Sequence, residues 1–139
     1  DNMVNFKYRK EKTRLGRMVW RPVADVEFQT ADGRWIDCHP YIDSGADLTL
    51  IPLSLGKLLG FTVKEERIQE LYGLGKQGIP VIFEKVKMKI GNFIFIIRVA
   101  WALIEEVPPL LGREDIFDNF QIVFEQNSKV IKFIKLKKK

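Results

Sequence analysis

The stretch Tyr41-Ile42-Asp43-Ser44-Gly45-Ala46-Asp47-Leu48-Thr49-Leu50-Ile51 carries the most information in this chain. Two apolar residues run into an acid, a small hydroxyl residue and a glycine follow, and the apolar run resumes at Leu48. An Asp-Ser-Gly triplet is by itself a good surface turn, since the Asp side chain can bond the backbone two residues on and glycine accepts tight geometry. The apolar flanks set this one apart. They put the loop at the edge of a core, with the carboxylate presented where nearby N–H groups can donate to it.

Outward from this loop the pattern is strand-like. Residues 23–30 alternate, Ala31-Asp32-Gly33 reads as a tight turn, and 34–42 follow, which predicts a hairpin with Pro40 at a bulge or edge. Ser54 is placed to cap a short helix over 55–59 that Gly60 stops. Residues 61–72 and 79–90 read as β-rich and flank Tyr72-Gly73-Leu74-Gly75-Lys76-Gln77-Gly78, a glycine-rich hairpin tip. Gly91-Asn92 turns into a strand over 93–103, and Leu110-Leu111-Gly112-Arg113 leads into one or two helical turns near 114–119. Strands over 120–124 and 130–136, joined by Gln126-Asn127-Ser128, end the pattern. There is no heptad, repeat or α/β alternation, so the reading is a mostly β domain over 22–136 with one or two short helices. Residues 1–21 read as a basic extended arm and 137–139 as a lysine tail.

Composition narrows the chemistry. The 139 residues suffice for one core, and 46% hydrophobic with 29% charged residues is ordinary for a globular domain. One cysteine, Cys38, and one histidine, His39, rule out an internal disulfide and leave the usual zinc sites without ligands, so no metal or cofactor is expected. Their adjacency puts them on opposite faces of a strand, which disfavours a Cys-His nucleophilic pair. The net charge of +5 is unevenly spread: 1–21 holds seven Lys/Arg against Asp1 and Glu11, 129–139 holds six Lys, and the span between is net acidic. Basic ends on an acidic middle do not make a nucleic-acid-binding surface, where Lys/Arg and aromatics interleave along the strands. The most apolar run, 93–104, is broken by Arg98 and is too short for a spanning helix of about 20 residues. The lone cysteine suits a reducing, cytoplasmic setting, and a start at Asp1 suits a processed or trimmed chain.

Together these pieces resemble the retropepsin-like aspartic proteases, single-domain relatives of pepsin. Ile42-Asp43-Ser44-Gly45-Ala46-Asp47 matches the catalytic loop, residues 72–78 the flap, and Leu110-Leu111-Gly112-Arg113 the element before the C-terminal helix. The resemblance implies a closed, barrel-like β lobe with Asp43 as the catalytic aspartate. It implies that Ser44 braces the loop against a partner copy, and that Gly45 and Ala46 leave room for substrate backbone. Asp47 and Arg113 fall at positions that pair in retroviral enzymes, expected here as a buried structural ion pair supporting the dimer. Tyr72, Gly73, Leu74, Gly75, Lys76, Gln77 and Gly78 would form the flap, with Tyr72 packing at its base. Trp20, Trp35 and Trp101 are assigned to core or interface. The chain departs from a minimal retroviral protease in its longer arm, its polar flap tip at Lys76-Gln77, and a lysine-rich end that does not suit interleaved termini.

Hydrolysis by this chemistry needs a base for water and an acid for the carbonyl oxygen. Two carboxylates sharing one proton supply both, because like charges about 3 Å apart cannot both ionise. The chain holds a single Asp-Ser/Thr-Gly, so an active enzyme is expected to be a homodimer with Asp43 from each copy at the two-fold axis, gripping an extended peptide. The other readings are a catalytically silent dimerisation or peptide-binding module on the same fold and, more weakly, a basic-armed barrel for nucleic acid.

Overall fold

The computed structural model describes residues 2–73 and 77–137. Among these residues thirteen strands run in the order β1 Met3–Lys7, β2 Arg9–Lys12, β3 Met18–Arg21, β4 Val26–Gln29, β5 Trp35–Cys38, β6 Tyr41–Ile42, β7 Thr49–Ile51, β8 Gln69–Leu71, β9 Ile79–Ile90, β10 Phe93–Ala102, β11 Leu110–Leu111, β12 Phe120–Glu125 and β13 Val130–Lys135. Among the described residues a single α-helix, α1 Leu53–Leu59, follows β7. Eight strands form one curled sheet in the order β5-β4-β9-β10-β7-β11-β6, with β8 alongside β9. A bridge between Val23 and Tyr41 links the start of this path to its end, giving a mostly β half-barrel.

The long β9–β10 hairpin is the spine, in register from Phe93 opposite Ile90 to Ala102 opposite Val81. Its first half alternates between exposed and covered residues, and from Val99 to Ala102 both faces are buried because β7 and α1 close over that end. Met88, Ile90, Ile97, Val99, Trp101, Phe28 and Ile82 fill the interior. A second sheet, β1-β13-β12, attaches through Phe93 and Phe95 of β10 on Phe120, and the ring stack continues within that sheet from Phe120 to Phe133 to Phe6, with centroids 5.6–5.7 Å apart.

Four local expectations are corrected. Residues 1–21 are not a separate arm. β1 pairs with β13 from Met3 opposite Ile134 to Lys7 opposite Val130, because Val4 and Phe6 alternate with polar residues and pack on the core. β2 and β3 form a hairpin of their own. Within 61–72 only β8 is a strand: Lys64-Glu65-Glu66-Arg67 has no apolar face to bury and takes a 3₁₀ turn over Glu65–Arg67. Helix α1 begins at Leu53, so Ser54 lies inside it; the Ser54 N–H and hydroxyl both donate to the Glu105 carboxylate, at 2.8 and 2.7 Å. Gly60 ends the helix as expected, at φ 102. The segment Arg113–Phe117 is a kinked turn and not a regular helix, with Glu114 extended and Asp115 at φ 68. Of the tryptophans, Trp101 is fully buried while Trp20 is 46% exposed, with the Lys10 ammonium over its ring.

The two hydrogen bonds from Ser54 hold the Glu105 carboxyl below the usual glutamate range. The charged form is favoured in the fold, so this contribution is present above the ordinary glutamate pKa and fades as pH falls through the lowered one. An NMR titration should place the Glu105 midpoint below that of free glutamate, and Ser54→Ala should move it back up. Gly56 lies against the Trp101 indole, whose N–H donates to Leu53 O at 3.1 Å, and a Cβ at this position would collide with the ring. Gly56→Ala is therefore expected to lower urea-unfolding stability by about 1–3 kcal/mol, against a helix-propensity gain of at most about 1.

Candidate active site

The Asp43 loop hangs between β6 and β7 and is built by the strand that crosses it. β11 lies between these two strands, parallel to β6 and antiparallel to β7. The Asp43 N–H donates to Leu111 O at 3.0 Å. The loop then turns on itself: Gly45 N–H donates to Asp43 Oδ1 at 2.9 Å and Ala46 N–H to Asp43 O at 3.2 Å. Past β11, the N–H groups of Arg113 and Glu114 donate back to the carbonyls of Ala46 and Asp47, each at 2.9 Å. Gly112 N–H donates to the buried Thr49 hydroxyl at 3.2 Å. At Gly112 the two segments touch so closely that any Cβ would collide with the Leu48 carbonyl.

Arg113 finishes the crossing by donating to Ser44 O at 2.9 Å and to the Asp47 carboxylate. The expected ion pair thus forms within one chain, but it is not buried: the side chains are 51% and 82% exposed, since Asp47 stands at the crest of the loop. Such a pair contributes little by charge alone; its hold on the Ser44 carbonyl is the more specific part. From the opposite side Arg98 pins the turn after Gly112. Its guanidinium donates to Glu114 at 2.7 and 2.8 Å, its N–H donates to Asp115 Oδ2 at 2.7 Å, and it stacks over Phe83.

Asp43, Ser44 and Gly45 are exposed on the single chain, while Ile42 and Thr49 on either side are buried. The loop borders a cavity of about 560 Å³ lined by Gly45, Ala46, Asp47, Leu48, Leu50, Leu71, Tyr72, Gly73, Ile79 and Leu110. Residues of the Asp43 loop and of the base of the expected flap thereby face one apolar space. Tyr72 is 69% exposed and borders this cavity, and Gly78 lies so close to its ring that a side chain there would overlap it. Leu74, Gly75 and Lys76 of the flap lie outside the described residues; Gln77 and Gly78 lead into β9.

Sequence reasoning missed Thr49 and the pair of Glu11 and Tyr41. The Tyr41 phenol donates to both Glu11 oxygens, at 2.8 and 2.9 Å, across thirty residues of chain. Burial first, and then the Glu11 acceptor, push the Tyr41 phenol up from its ordinary value. No local signal marks such a contact, whereas Thr49 had one: a hydroxyl within the apolar run 48–51. Cys38 is buried and its thiol is pushed up to about 11 by desolvation, so it supplies no thiolate at neutral pH. His39 points the other way, to Asp25 Oδ1 at 2.7 Å. Among the described residues, no three His, Cys, Asp or Glu side chains gather as metal ligands.

No family profile matches the sequence, and no curated protein matches it. Solved structures do. A retropepsin-like aspartic protease from Rickettsia conorii aligns with a TM-score of 0.62 at 13% identity, over 94% of this chain and 97% of its own. EIAV protease complexed with the inhibitor HBY-793 aligns with a TM-score of 0.53 at 18% identity, over 78% of this chain and 93% of its own. The retroviral protease-like domain of Ddi1 from Leishmania major aligns at 0.55 and 12% identity, over 84% and 95%. The chain has a retropepsin-like fold. The likeness takes in nearly the full length of each of these structures.

The crossing at Gly112 makes a sharp prediction. Gly112→Ala should cost more than about 2 kcal/mol, because backbone and not a side-chain end must move. Thr49→Val should cost about 1–3 kcal/mol by leaving the buried Gly112 N–H unpaired. Chemical denaturation of both variants checks the size and the order.

Proposed function

We propose that this chain is an aspartic endopeptidase, active as a symmetric homodimer in which Asp43 of each copy forms half of the catalytic pair. The observation that carries the proposal is the Asp43-Ser44-Gly45 loop itself. It is exposed on a single copy, held rigidly by backbone hydrogen bonds to a crossing strand, and open to an apolar cavity beside the flap base. One carboxylate gives half of the chemistry. Two facing copies would share a proton, so that one Asp43 takes a proton from water while the other gives one to the peptide carbonyl oxygen. Their titration would belong to the pair.

In this reading each group has a role set by its geometry. The Gly45 N–H fixes the Asp43 carboxylate on one oxygen and leaves the other for water and the partner. Ser44 would brace the loop across the two-fold axis, and the Arg113 hold on its carbonyl supports that reading. Leu50, Leu71, Ile79 and Leu110 supply an apolar pocket for a substrate side chain, while an extended peptide bonds the loop and flap backbones. The flap expected over residues 72–78 would cover the substrate and limit water to the nucleophile.

Asp43→Asn keeps the shape of the side chain and removes the base. With a mixed peptide library across about pH 4–7, it should reduce turnover by at least 10²-fold, roughly the scale of general acid–base catalysis, with the fold and the dimer unchanged. Wild-type specific activity should also rise with protein concentration as half-sites pair. Cleavage by the Asn variant at the wild-type rate would refute the role of Asp43. Peptide binding without cleavage by the wild type would instead make the chain a binding module on this fold.

A further inference from the structure

A second cavity, of about 660 Å³, opens beside the same loop, and it is walled by the N-terminal hairpin β2–β3. Its lining includes Arg14, Arg21, Glu11, Tyr41, Asp43 and Leu110. Because Asp43 itself is part of the lining, whatever occupies this space lies next to the reacting bond. The wall is charged, with Arg14 and Arg21 set against Glu11 and Asp43. Both Glu11 oxygens accept from the Tyr41 phenol, and the Arg21 guanidinium lies 3.6 Å from the same carboxylate, so Glu11 and Arg21 offset one another. Arg14, in the hairpin turn, is exposed and has no hydrogen bond or ion pair among the described residues. From Arg9 to Arg21 the hairpin holds six basic residues against the single acid Glu11; Arg9 is paired with Asp25 and Arg21 with Glu11, which leaves Arg14 as the cation of the cavity wall without a partner among the described residues.

We propose that this cavity is a specificity pocket that selects a glutamate side chain of the substrate next to the cleaved bond, with Arg14 as the determinant; the proposal rests on the peptidase reading of the Asp43 site. Leu110 offers an apolar surface to the methylene stem, and the Arg14 guanidinium donates to the terminal carboxylate. The carboxylate must end on the hairpin side, away from the Asp43 pair, so the longer glutamate suits the pocket better than aspartate. Leucine fills the stem space and leaves Arg14 unpaired. Lysine meets Arg14 as a like charge while Glu11 is already engaged, so it is disfavoured. In a symmetric dimer one such pocket falls on each side of the cut.

The test uses one peptide sequence with Glu, Asp, Leu or Lys placed beside the cleaved bond. Cleavage is measured with wild type, Arg14→Lys and Arg14→Glu, and binding by fluorescence anisotropy in an Asp43→Asn background. Glutamate should exceed lysine by about five- to tenfold in kcat/KM and in affinity, the size expected of a partly exposed ion pair with charge reversal. Arg14→Lys should keep that order and Arg14→Glu should invert it. The same glutamate-to-lysine ratio in wild type and Arg14→Glu overturns the pocket while the observed cleavage leaves the peptidase reading standing. A charge order in binding that Arg14→Glu inverts, with no cleavage by the wild type, overturns the peptidase reading and keeps the pocket as a recognition site. No binding of any of the four peptides overturns the pocket.

Discussion

The lacing of residues 43–49 to residues 111–114 is the interaction on which the rest of the molecule depends. Six backbone and side-chain hydrogen bonds join two segments more than sixty residues apart, and at Gly112 they touch with no room for a side chain. β10 holds β7, β7 holds β11, and β11 holds β6, so the loop can take its shape only when the whole curled sheet has formed. Site and fold are therefore one cooperative unit. The loop is exposed, yet the N–H groups of Asp43, Gly45 and Ala46 and the carbonyls of Asp43, Ser44, Ala46 and Asp47 are all engaged. A backbone held in this way is what the role proposed for Asp43 would require.

The architecture was largely legible from the chain because its signals are local. The hairpin over Val26–Cys38, the long strands Ile79–Ile90 and Phe93–Ala102 and the last pair each carry alternation bounded by turn residues. What escaped was non-local or ambiguous. Met3–Lys7 alternates as well as any strand, but its basic neighbours from Arg9 onward hid that pattern within a charged arm. Ser54 resembles a helix cap, and only the tertiary placement of Glu105 shows that an outside carboxylate meets the helix N-terminus instead. Arg98 looked like an interruption in an apolar run. It is the anchor of the turn that follows Gly112, a role no spacing could reveal across sixteen residues. The Asp43 loop was visible for the opposite reason: its residue types are constrained by its own geometry, acid, small and glycine in sequence.

The two cavities flanking the loop differ in origin and in character. The first is made by the barrel and the flap base and is dominated by aliphatic side chains. The second is walled in part by the hairpin ahead of the barrel, which adds Glu11, Arg14 and Arg21 to the barrel's own Tyr41, Asp43 and Leu110. On the proposed reading the fold would supply a platform for an extended chain, and the β2–β3 hairpin would add discrimination.

The last strand, β13, is hydrogen-bonded on both edges within its own chain, to β1 on one side and β12 on the other. A strand so occupied has no edge left to lend, and the open edges of this sheet are those of β1 and β12. In the homodimer proposed above, strand pairing between copies could therefore use only those two outer edges. A pairing through loops and faces would leave every strand partner within its own copy, so that dilution would separate the pair without unfolding it.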